Sequence, residues 1–79
     1  MDYYIGQIAL FGTNYAIQNF AICDGSLLQI SQWPEQFAIL GTAYGGDGIN
    51  TFALPKLTPP LPNMTYQICL LGVKPSAAA

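Results

Sequence analysis

The chain has 79 residues, which is room for one small domain. Only 8% of the residues are charged, against about 25% in ordinary soluble domains, and Asp2, Asp24, Glu35, Asp47, Lys56 and Lys74 sum to a net charge of −2. Two lysines without arginine argue against a nucleic-acid partner, no apolar run approaches the roughly 20 residues of a membrane span, and two cysteines with no histidine and no CxxC pair exclude the usual zinc sites.

In chain order, Tyr3–Phe11 (YYIGQIALF) reads as a strand. Tyr4, Ile8 and Leu10 share one face with Gly6, while Ile5, Gln7, Ala9 and Phe11 share the other, so both faces are expected to be covered. Gly12-Thr13-Asn14 breaks the alternation. Asn19–Ser31 reads as a hairpin: Phe20–Cys23 leads in, Asp24-Gly25 turns, and Leu27–Ile30 returns. Asp24 has no base or nucleophile near it in sequence, so it reads as a turn residue whose carboxylate bonds local N–H groups.

Ser31–Gly41 (SQWPEQFAILG) reads as one short helix. Ser31 or Gln32 is placed to cap it, Pro34 suits the first turn, and Glu35 sits at the positive end of the dipole. Trp33, Phe37 and Leu40 fall on one face, which reads as core or subunit interface. Gly41 is placed to end the helix in the left-handed conformation.

The following stretch, Leu40–Pro55 (LGTAYGGDGINTFALP), invites a phosphate or metal reading. It has no GxGxxG, no following Lys-Ser/Thr, and a β-like INTFAL where a phosphate loop would start a helix. Asp47 and Asn50 are too few for a calcium loop, leaving at most a weak or intersubunit cation site. Gly45, Gly46, Asp47 and Gly48 therefore read as a turn built on glycine's freedom to take positive φ. Leu57–Asn63 holds three prolines in seven residues and should run extended on the surface. Met64–Val73 alternates as a last strand, and the first and last strands are expected to pair in one sheet. The fold class expected is α+β: a small, mostly-β domain over residues 1–76 with one short helix. The trailing Ala77-Ala78-Ala79 reads as a vector-derived tail.

Chemistry has little material. Cys23 and Cys69 lie in apolar strand contexts and read as buried small hydrophobes, and a disulfide stays open only if their strands are neighbours. No histidine is present to activate a nucleophile, so no catalytic residue, metal or cofactor is assigned. The hydrophobic fraction of 52% with so few charges predicts a nearly uncharged, partly apolar surface that associates with copies of itself or with other proteins. Met1-Asp2-Tyr3-Tyr4 lacks the basic start of a secretion signal, so synthesis is expected in the cytoplasm, with any exit by another route.

Four segments, MDYYIGQIALFG, FAICDGSLLQISQ, FAILGTAYGGDGINTFALPKL and YQICLLGVKPS, in that order resemble the phage tail collar family, which includes the so-called microcystin-dependent proteins. The Cys23-Asp24-Gly25 element and the Gly41–Pro55 element carry the resemblance most specifically. Phe20 stands where the family commonly has tryptophan, Lys56 replaces an acid, and Thr58-Pro59-Pro60 replaces an Arg-Gly-Arg run. The long variable region that the family places before its closing strand is reduced here to the proline-rich segment. The resemblance implies a non-enzymatic structural subunit of a phage tail, fibre or phage-derived contractile particle, acting as a homo-oligomer, with a trimer favoured, and meeting other tail or fibre proteins. Two alternatives stay open: a module binding glycan or another cell-surface receptor through exposed aromatics such as Tyr15, Tyr44 and Trp33, and an accessory or chaperone for a larger fibre protein. Tyr15, Trp33, Phe37, Leu40 and Tyr44 are the candidate interface or ligand contacts.

Overall fold

The computed structural model describes residues 3–76; the expectations about Met1-Asp2 and the Ala77–Ala79 tail lie outside the described residues. The elements are β1 (Ile8–Phe11), β2 (Phe20–Ile22), β3 (Leu27–Gln29), α1 (Pro34–Leu40), β4 (Thr51–Ala53) and β5 (Thr65–Cys69). Two sheets form: a three-stranded one in the order β1-β5-β2, and a two-stranded one pairing β3 with β4. The three pairings between these strands are antiparallel, the isolated bridge between Tyr4 and Val73 is parallel, and the first and last strands are neighbours as expected, with Ile8 opposite Ile68 and Phe11 opposite Thr65.

Residues directly opposite each other share a face, and faces alternate along a strand. The register therefore puts Ile8, Leu10, Ala21, Tyr66 and Ile68 on one face of the larger sheet, and Ala9, Phe11, Phe20, Ile22, Gln67 and Cys69 on the other. The first is the core face. Cys23, Leu54, Ile68 and Leu70 form the buried centre, with Ala21, Leu28, Trp33, Leu40 and Tyr66 packed around it. The smaller sheet adds Phe52, which is fully buried and meets Phe37 of α1 with ring centroids 5.5 Å apart. Helix and small sheet thus form the second layer that a small sheet needs to bury its apolar side.

The outer face is covered by a loop. Gln67 has no solvent exposure: its Oε1 accepts the N–H of Ile17 at 2.8 Å, and its Nε2 donates to the carbonyl of Tyr15 at 2.9 Å and to Thr65 Oγ1 at 2.8 Å. This one side chain ties the chain between β1 and β2 onto the central strand, and satisfies its own polar groups in doing so. Gln36 does similar service on the helix, where it is buried and donates to the Leu70 carbonyl.

Three expectations are corrected. β2 and β3 are not a hairpin, because they belong to different sheets. Asp24 does accept the Ser26 N–H at 3.0 Å and Gly25 has φ 83°, so a turn forms. The chain that enters it, however, is captured by distant partners. Cys23 N donates to Tyr66 O, Leu57 N donates to Cys23 O, and Asp24 bridges to Lys56. Long-range pairing wins over the local turn preference, and the turn hands the chain from one sheet to the other. Secondly, neither Ser31 nor Gln32 caps α1. Its N-cap is Trp33, with no side-chain cap bond, because a turn over Ile30–Gln32 feeds into Pro34 at the first helical position. Pro34 at the first helical position removes one of the N–H groups that a helix start leaves without an intrahelical partner. Thirdly, the first strand begins at Ile8, not Tyr3. Gly6, with φ 90°, and a Gln7 N–H to Tyr4 carbonyl bond make a turn that resets the alternation, leaving Ile5 buried and Tyr4 exposed.

Gly41 closes α1 by donating its N–H to the Phe37 carbonyl, and its φ is positive at 56°, but its ψ of −146° puts it outside the left-handed helical conformation expected of it, in a region that glycine alone enters freely. The Leu57–Asn63 segment is exposed throughout, bends at Pro60-Leu61 and turns at Pro62-Asn63.

Candidate functional site

The glycine-rich stretch is a self-contained turn. The Asp47 carboxylate accepts the N–H groups of Ile49, Asn50 and Thr51 at 2.8–2.9 Å, which holds its pKa down at about 2. Gly46 lies against β4, where a Cβ would sit 2.4 Å from Phe52 Cα. All three bonds fall on one oxygen, Oδ1, and among the described residues no three His, Cys, Asp or Glu side chains come together.

Both thiols are free and buried. Burial, and then the neighbouring Asp24 charge, pushes the Cys23 thiol up to about 11, and burial raises Cys69 as well. Cys69 faces Phe20 across the β2–β5 ladder, whereas Cys23 bonds at the level of Tyr66. That offset of three residues is about 10 Å along the strand, beyond the roughly 7 Å a disulfide spans, and the two also point to opposite faces. Neither thiol is poised as a nucleophile at neutral pH.

The five aromatic and apolar candidates separate. Trp33, Phe37 and Leu40 are half-buried, and their shared helix face looks into the core, with Trp33 and Leu40 on the central cluster and Phe37 on Phe52. Tyr15 is 63% exposed on the loop over the outer face, and Tyr44 is exposed on the loop after α1.

Two surfaces stand out that sequence reasoning did not locate. One is β1. It is an edge strand, and across the core face burial falls off toward it. Ile68 is fully buried, but its partner Ile8 is 36% exposed, and Leu10, opposite Tyr66, is 40% exposed. The second layer covers β5 and β2 and leaves β1 overhanging. The strand's sequence, Ile-Ala-Leu-Phe, has none of the lysine, proline or charge that normally protects an open edge. The alternation of the segment showed two apolar faces; only the sheet order shows which of them lacks a cover.

The other is a cleft of about 540 Å³ on the outer face. The segment Tyr3–Ile5 pairs with Leu71–Val73 on one side, through Val73 N to Tyr3 O at 2.8 Å and Ile5 N to Val73 O at 2.9 Å, and Ile17–Phe20 forms the other side. Phe20 meets Tyr3 and Phe11 edge to face, with centroids at 5.1 and 5.0 Å, making an aromatic wall rimmed by Gln18 and Asn19. Gly72 permits the tight approach, since a Cβ there would lie 2.2 Å from the Tyr3 oxygen.

No helix among the described residues is long and apolar enough to cross a membrane. In comparisons with known proteins, no curated sequence and no solved structure shows significant similarity to the chain. The phage tail collar domain profile matches residues 6–65. That match takes in β1 to β4, the glycine turn and the start of β5. The chain therefore belongs to the phage tail collar domain family, whose place is a structural one in phage tails and their fibres.

Proposed function

We propose that the chain is a non-enzymatic structural subunit that works by assembling with copies of itself, as a trimer by preference, within a phage tail, fibre or phage-derived contractile particle. The observation that supports this best is the overhanging β1. A strand that is open along its edge, apolar on its uncovered face and free of charge is a liability in a solitary domain and an asset in a packed one. The low charge of the whole chain adds to it, because copies can meet with almost no like-charge repulsion.

In this reading, Ile8 and Leu10 are the central contacts. Tyr15 and Tyr44, on their exposed loops, are available to neighbouring copies or to other tail and fibre proteins, while Trp33, Phe37 and Leu40 shape the core beneath. Sedimentation velocity at micromolar concentration tests the proposal. A stable oligomer that L10E disperses into folded monomers is the expected result. A wild-type chain sedimenting as a monomer would count against it.

A further inference from the structure

The aromatic cleft lies on the opposite face of the larger sheet from the exposed Ile8 and Leu10 side chains, so those self-contacts leave it unused. We propose that it is a binding site for a neutral saccharide. None of its lining residues is charged, so nothing in it selects an anion or a cation. Its wall offers the rings of Tyr3, Phe11 and Phe20, whose electron-rich faces and edges suit the C–H face of a pyranose. Its rim offers the side-chain amides of Gln18 and Asn19, both on exposed residues, which supply donors and acceptors for ring hydroxyls. A purely aliphatic ligand would leave those amides without partners, and a purely polar one would leave the wall unused. The volume of about 540 Å³ falls within the range of small-ligand sites.

The site is also pre-formed. Ile17 is fixed by Gln67 from beneath. The Asn19 carbonyl accepts the N–H groups of Leu70 and Leu71 at 2.9 and 3.2 Å, and Asn19 is held at φ 72°, a left-handed conformation unusual for a side-chain-bearing residue. Because the backbone at the mouth of the cleft is already pinned by these bonds, it needs little further ordering when a ligand arrives.

The test is an amide-resolved NMR titration of the full chain with glucose, galactose, mannose and N-acetylglucosamine in turn. At least one sugar is expected to give saturable shifts centred on Tyr3, Phe11, Ile17–Phe20 and Leu71–Val73, with Kd in the millimolar range or below. N19G keeps the positive φ while removing the amide, and Q18A alters an exposed side chain, so both should fold; each is expected to weaken binding roughly fivefold to tenfold. The proposal is overturned by no saturable shift with any of the four sugars, by shifts centred elsewhere, or by affinity unchanged in both variants. A protein concentration series without sugar is run alongside. If it moves the same resonances, a second copy occupies the cleft and the saccharide assignment fails.

Discussion

Replacing Gln67 with leucine should cost about 3 kcal/mol, because one buried side chain holds the loop between β1 and β2. Gln67→Leu removes three hydrogen bonds, to Ile17 N, Tyr15 O and Thr65 Oγ1. Thr65 keeps its bond to the Thr13 carbonyl and the Tyr15 carbonyl keeps the Thr13 hydroxyl, so one group is orphaned, the Ile17 N–H. Each lost bond contributes about 1 kcal/mol, and an orphaned, part-buried group about 1–3 more. The added apolar burial of leucine offsets some of this, which brings the sum to the stated figure. A domain of this length has roughly 4–12 kcal/mol in total, so the loss is a large share and corresponds to a fall in Tm of roughly 12–24 °C. Urea unfolding at fixed protein concentration measures it, with hydrogen exchange at the Ile17 amide as the local readout. The expected outcome is a lower midpoint at unchanged slope and faster Ile17 exchange. A midpoint within about 0.5 kcal/mol of the parent, with Ile17 still protected, would show that the loop is held by something other than Gln67.

Glycine positions give a graded series. G46A and G72A place a Cβ 2.4 Å and 2.2 Å from backbone atoms, whereas G12A meets nothing within 4 Å, so the first two should unfold or lose several kcal/mol and the third should be neutral within about 0.5 kcal/mol by thermal melting. Acid should loosen the glycine turn. The folded pKa of Asp47, about 2, lies below its ordinary 3.8, so its contribution is present above pH ~4 and lost as pH falls toward 2. An acid-unfolding series in which D47N shows the same pH dependence as the parent over that window would contradict this. Thiol reactivity is the third check: Cys23 and Cys69 should react with a disulfide reagent at pH 8 only at the rate of unfolding, and mild oxidation should form no intrachain bridge. Rapid labelling of either thiol in the native state would refute their burial.

Much of the fold was legible because its signals are local. Alternation over Met64–Val73 found β5, and Gly41 marked the end of α1, while the start read at Ser31 lies three residues later, at Pro34. What escaped is set by partners far away in the chain. Asp24-Gly25 makes a turn in any context, but whether the flanking strands pair depends on Tyr66 and Lys56 reaching them first. Gln67 reads as an ordinary polar residue on an alternating strand; its burial exists only because the Thr13–Ile17 loop folds over it. The same holds for the surfaces. Ile8 and Leu10 look like core residues by pattern, and become exposed only because β1 is the edge strand beyond the reach of the second layer. The aromatic cleft joins Tyr3, Phe11, Phe20 and Val73, which no short-range motif connects.

Whether this collar domain is a self-assembling structural unit is decided by the native mass of the chain at micromolar concentration. A discrete oligomer, a trimer by preference, that falls apart to folded monomer when Leu10 is replaced by glutamate is the expected result. A wild-type chain that stays monomeric, or an oligomer indifferent to L10E, would contradict it.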